Sequence, residues 1–189
     1  MLEPSDCWAA SLLHGLATAP ALLRGHGSAL LHGLPTAYYD QGVSALAADP
    51  SSATADVRGL SSIAVSAAAT NASGGAAAAA ALANGTAPEG TAAQAADPAV
   101  QALLRTCAAK YGQARDALGA AGDAIAAQDY DSASVHVGAA AEYPQVCKAL
   151  FRRQRPGQYP PELAAREEAL GQLCSVALDI IALLANSSS

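Results

Sequence analysis

The chain has 189 residues, enough for one domain with a single continuous core, and 52% of them are hydrophobic although only 4% are aromatic. Alanine therefore supplies much of the apolar content, which favours helix and close helix packing over a wide ligand cavity. A net charge of −6, with Arg152, Arg153 and Arg155 as the one basic cluster, excludes the extended cationic surface that nucleic acid requires.

Residues 1–32 mix Gly, Pro, His and short Leu pairs without sustained periodicity, and read as an irregular N-terminal extension ahead of one domain over 33–186. The chain starts Met1-Leu2-Glu3-Pro4-Ser5-Asp6 and has no Lys or Arg before Arg24, so a secretory signal is expected to be missing or already removed. No apolar run approaches the ~20 residues that span a bilayer. The best candidates are 76–83 and 177–185, the second broken by Asp179, so no membrane partner is expected.

A short helix is predicted over 38–46, ended at Asp49-Pro50 because the residue before proline is pushed out of helical angles. A longer helix follows over 53–70. Asn71-Ala72-Ser73-Gly74-Gly75 then reads as a break, since paired glycines punctuate a helix, and the alanines from Ala76 to Ala83 resume it, as one interrupted helix or as two.

Asp97 is a good N-cap and Pro98 a good first helical residue. From there Val100, Leu104, Cys107, Tyr111, Ala114, Leu118, Ala121 and Ile125 recur at alternating spacings of four and three, the seam of a bundle helix. Gln128-Asp129-Tyr130-Asp131 reverses the chain, and Ala133, Val137, Ala140, Pro144, Cys147 and Phe151 keep the rhythm, with Pro144 predicted to kink the helix. Beyond Arg155-Pro156-Gly157, Pro160-Pro161 opens a last helix with Leu163, Leu170, Leu173, Ala177, Ile180 and Leu184 on one face. Short connections between long helices imply an all-α, antiparallel four-helix bundle with a short helical extension at its N-terminal side.

Cys107 and Cys147 stand at nearly equal distances from the Asp129 reversal, so at ~1.5 Å rise per residue they reach the same height on neighbouring helices. That placement suits a disulfide worth roughly 4 kcal/mol on the chain-entropy model; two buried free thiols in a reducing compartment are the alternative. Cys7 and Cys174 have no evident partner.

Nothing in the sequence looks catalytic, and no metal or cofactor is called for. His14, His26 and His32 fall in the irregular opening, His136 has no Cys or carboxylate at ligand spacing, and no phosphate loop or nucleophile elbow is present. Glu167 and Glu168 occupy adjacent helical positions that point in different directions, and read as a solvated face and not an acid/base pair. Asn71, Asn84 and Asn186 head Asn-X-Ser/Thr sequons and are candidate glycan acceptors in a secreted protein.

Several stretches taken together resemble the plant invertase and pectin methylesterase inhibitor family. They are Thr36-Ala37-Tyr38-Tyr39-Asp40-Gln41-Gly42-Val43, Asp49-Pro50 with Asp56-Val57-Arg58-Gly59-Leu60, Leu103-Leu104-Arg105-Thr106-Cys107 with Tyr111, Asp129-Tyr130-Asp131, and Tyr143-Pro144-Gln145-Val146-Cys147. The resemblance implies a four-helix bundle pinned by one disulfide, matched by Cys107 and Cys147, and a preceding helical hairpin pinned by another. The hairpin pair should fall near Gly33 and Gly42, where this chain has glycine twice.

The resemblance also implies an extracellular protein of the cell wall that is not an enzyme, and that blocks the active-site cleft of a carbohydrate enzyme without a covalent bond. Lys110, Gln113, Asp116 and Asp123, on the outer side of the helix after Asp97, are the candidate target-binding residues; an ordinary solvated face is the alternative. Invertase-directed relatives are associated with a Pro-Lys-Phe element, whereas neither Lys110 nor Lys148, the two lysines here, stands between Pro and Phe. Pectin methylesterase is therefore the expected partner and acid invertase the alternative. Gly33 and Gly42 motivate a third reading, a helical interaction protein without inhibitory activity.

Overall fold

The computed structural model describes residues 37–86 and 97–187. Helix α1 (Ala37–Ala48) leads through a 3₁₀ turn (Pro50–Ala53) into α2 (Val57–Ala83), and α3 (Pro98–Ala126), α4 (Tyr130–Gln154) and α5 (Pro161–Ser187) complete the order. The four long helices pack α2 on α3, α3 on α4, α4 on α5 and α5 back on α2, while α1 lies against α5 and α2. This is the antiparallel bundle anticipated above. The extension read over 1–32, including Cys7 and the three early histidines, lies outside the described residues, as does Gly33.

Asp carboxylates start the helices. Asp56 accepts from the Gly59 amide at 2.7 Å, Asp97 from Ala99 at 2.8 Å and Asp129 from Ser132 at 3.1 Å, and each pairs a donor that the first helical turn cannot bond internally. The α3–α4 reversal closes as a Schellman motif. The Asp129 amide donates to the Ala124 carbonyl at 2.9 Å and the Gln128 amide to Ile125 at 3.0 Å, with Gln128 left-handed at φ 62°.

The core is built from unequal partners. Ala64, Ala68, Ala72 and Ala79 make up much of the buried face of α2 beside Leu60, Val65 and Leu82, and α4 buries Ala133 and Ala140 beside Val137 and Phe151, whereas α3 and α5 contribute Leu104, Leu118, Ile125, Leu163, Leu170 and Ile181. Large residues on one helix thus fill the space that alanines leave on the next. Cys107 and Cys147 are joined, with Cα atoms 5.1 Å apart, and tie α3 to α4. Among the described residues Cys174 is the free cysteine; it is buried in α5, and loss of water pushes its thiol up to about 12.

The structure corrects three expectations. The break at Asn71–Gly75 does not occur, and α2 runs unbroken to Ala83. The reason lies on another helix: the Tyr111 ring of α3 rests directly on Gly75, where a β-carbon would overlap it. Tyr111 is fully buried and donates from its hydroxyl to the Leu163 carbonyl at 3.0 Å, so one side chain joins three helices. Burial raises its phenol to about 12. Pro144 is buried within α4, and the helix continues past it to Gln154.

Glu167 is not on a solvated face. Its side chain is 13% exposed, takes a hydrogen bond from Tyr159 at 3.1 Å and pairs with Lys148 of α4 at 3.2 Å, while Glu168 is exposed. Finally, α5 is long and apolar enough to cross a membrane, with a mean hydropathy of 1.7 over its best window. Its Leu163, Leu170, Leu173, Ile180 and Ile181 are buried against the other helices, as expected for the central helix of a packed bundle.

Candidate functional site

Lys110 and Gln113 lie one turn apart on α3, and the Lys110 Nζ donates to the Gln113 Oε1 at 2.9 Å. The same ammonium sits 5.5 Å from the centre of the Tyr143 ring on α4, within range of a cation–π attraction. Lys110 is therefore half-buried at the seam between the two helices and held from both sides. Asp116 and Asp123 are exposed, and Asp116 pairs with its neighbour Arg115 at 2.6 Å. At ~100° per residue these two aspartates share one stripe, while Lys110 stands ~120–140° around the helix from them. The four candidates thus form an arc, with Lys110 and Gln113 on the α4 side and the carboxylates facing open solvent.

Two features on α4 escaped the sequence reading. Val135 is 70% exposed and Val146 42% exposed, and at eleven positions apart they share one outward stripe. Tyr143, part of the motif over 143–147, is also the ring platform for Lys110. A lysine on α3 opposite an aromatic three or four positions before the α4 cysteine was the available signal, and the shared height of Cys107 and Cys147 was enough to find it.

The reversal between α3 and α4 is acidic. Asp129 is held below the ordinary carboxylate range by hydrogen bonds from the Ser132 side chain and amide, and Asp131 follows it in the first turn of α4. At the opposite end, Arg155 donates from Nε and Nη2 to Asp97 Oδ2 at 3.2 and 3.1 Å, linking the end of α4 to the start of α3.

Gly42 is buried where α1 meets α5, and a β-carbon there would stand 2.6 Å from Val176 Cγ2. Glycine at this position allows the close approach of the two helices. Of the sequon asparagines, Asn84 is exposed at the C-cap of α2 and Asn186 exposed in the last turn of α5, whereas Asn71 is half-buried within α2 with its Oδ1 enclosed. Among the described residues no group of three or more His, Cys, Asp or Glu side chains is placed to hold a metal ion.

A family model described as plant invertase/pectin methylesterase inhibitor matches residues 32–180. The chain belongs to this family. Its members, by that description, inhibit enzymes and are not themselves the catalysts. Within the plant invertase/pectin methylesterase inhibitor family, the chain is 77% identical over 152 residues to pectinesterase inhibitor 28 of Oryza sativa subsp. japonica, across 80% of this chain and 66% of the relative. It is 39% identical over 146 residues to cell wall / vacuolar inhibitor of fructosidase 2 of Arabidopsis thaliana, across 77% of each protein. A pectinesterase inhibitor of Actinidia deliciosa is 30% identical over 143 residues, across 76% of this chain and 71% of the relative. The matched segment thus spans just under two thirds of the rice protein's own length.

Proposed function

We propose that this protein is a noncovalent inhibitor of pectin methylesterase that lays the outer face of its bundle over the enzyme's active-site cleft. The observation that carries the reading is the 77% identity to a rice protein named as a pectinesterase inhibitor. The inhibitory unit is the span 33–186, which takes in most of the family match over 32–180.

The α3 arc supports the mechanism. Lys110 is held between Gln113 and Tyr143, so little side-chain freedom is left to lose when it meets a partner, and an ordered contact costs less on binding than a floppy one. Asp116 and Asp123 extend outward and would steer a basic cleft rim toward the arc. The site of action in this reading is the cell wall, with Asn84 and Asn186 as exposed glycan acceptors.

The 39% identity to a protein named as an inhibitor of fructosidase favours acid invertase as the second reading. Titrating pectin methylesterase with the oxidised protein in mildly acidic buffer, and acid invertase in parallel, separates the two. Stoichiometric loss of esterase activity is expected; inhibition of invertase alone would sink the esterase reading.

A further inference from the structure

Charge is divided along the bundle. Asp56, Asp123, Asp129 and Asp131 gather at the end where α3 turns into α4, whereas Lys148, Arg152, Arg153 and Arg155 gather at the end of α4. Most groups at the basic end are already engaged. Arg155 is bonded to Asp97, Arg166 to Glu162, and Lys148 to Glu167, although the Lys148 side chain stays 59% exposed.

Arg152 and Arg153 differ from these. Both are exposed, and no hydrogen bond or ion pair among the described residues engages either guanidinium. Their position in the last turn of α4 complements the helix dipole, but dipole relief needs one cation and not a run that includes Lys148 one turn earlier. Along α4, Asp131 and Arg152 are separated by about 30 Å at 1.5 Å per residue. The screening length at physiological salt is ~8 Å, so the acidic end does not cancel the field at the basic one, whatever the net charge.

Of the acids near the patch, Glu167 is occupied by Tyr159 and Lys148, and Glu162 by Arg166. Exposed Glu168 lines the same shallow depression between α4 and α5 as Lys148 and Glu167, so Arg152 and Arg153 are the cations of the patch with no acid bonded to them among the described residues.

We propose that Arg152 and Arg153, with Lys148 beside them, form a binding site for a polycarboxylate chain, namely de-esterified pectin. The choice of polymer rests on the esterase reading above. Hydrolysis of a uronate methyl ester takes up water and releases methanol and a proton, and it leaves one carboxylate on the polymer for each ester cleaved. Guanidinium groups match carboxylates through paired N–H donors, whereas an esterified unit offers only uncharged oxygens. The patch therefore distinguishes the product of the inhibited reaction from its substrate. It would hold the inhibitor on wall regions where the esterase has already acted.

The test is affinity electrophoresis of the oxidised protein, in the absence of any esterase, through gels containing polygalacturonate or fully methyl-esterified pectin. Polygalacturonate should retard the wild type and esterified pectin should not, and the retardation should vanish near 1 M salt, where the screening length falls to ~3 Å. A variant with Arg152→Gln and Arg153→Gln, shown by circular dichroism to keep its helices, should bind polygalacturonate roughly tenfold more weakly.

Equal retardation by both polymers, none by polygalacturonate, or wild-type binding by the double variant would each overturn the proposal. Esterase titration with the same samples is a separate readout. A protein that binds polygalacturonate but leaves the esterase active would sink the inhibitor reading and keep the patch, and the converse would sink the patch alone.

Discussion

Tyr111 and Gly75 act as one unit although 36 positions separate them in the chain. The ring occupies the place of a side chain on α2, and its hydroxyl reaches the Leu163 carbonyl on α5. Gly75→Ala should therefore destabilise the fold by about 2 kcal/mol through overpacking, despite alanine's better helix propensity, as read from urea unfolding. A stabilised variant would show that the ring can move aside. Gln128 presents the opposite case: a non-glycine residue held left-handed at φ 62° in an exposed turn. Replacing it with glycine should raise stability by about 1 kcal/mol with no loss of inhibition, because the strain serves a turn and not a contact.

Helix caps and the disulfide act at the next scale. Asp49, Asp97 and Asp129 are held below their ordinary value of 3.8, mainly by hydrogen bonds from Ser51, Ala99 and Ser132 respectively. A carboxyl whose folded-state pKa is depressed adds stability above its unfolded value and loses that contribution as pH falls through the folded one. The melting temperature should accordingly stay level above about pH 5 and decline below about pH 4. Asp97→Asn and Asp129→Asn, which keep a capping oxygen without a charge, should flatten the decline in calorimetry. The disulfide closes a loop across 40 positions, so Cys107→Ser with Cys147→Ser should cost roughly 4 kcal/mol and leave a bundle that unfolds at lower temperature.

For the whole molecule, the two parts of the arc on α3 make separable predictions about the esterase. Lys110→Ala removes a group held in place at the α3–α4 seam and should weaken inhibition by roughly tenfold, mostly through faster dissociation. Asp116→Asn with Asp123→Asn should instead slow association and reduce its dependence on salt, because exposed charges act before contact more than within it. Stopped-flow association measured over a range of ionic strength distinguishes the two. Equal effects of both variants on association alone would remove Lys110 from the interface.

The bundle itself was legible in the chain. Alternating spacings from Val100 to Ile125, Asp97-Pro98 and Asp129 as starts, and two cysteines level across one reversal are local signals, because each depends on helix geometry within a few turns. The family resemblance was carried by short motifs placed in the same order. Other features depended on partners that no local pattern names. Gly74-Gly75 looks like a break until Tyr111 fills the space beside it, and Glu167 looks solvated until Tyr159 and Lys148 close on it. A 27-residue apolar helix can serve a membrane or a core until its neighbours cover it. The sequence by itself determined the order of the helices and the equal height of Cys107 and Cys147, since hydrogen bonding and periodicity act along the chain, whereas the continuity of α2 and the closure of the disulfide are seen only in the packed structure. Which polar groups are held and which stay free for a partner was decided by tertiary contact, since burial is a property of the packed whole.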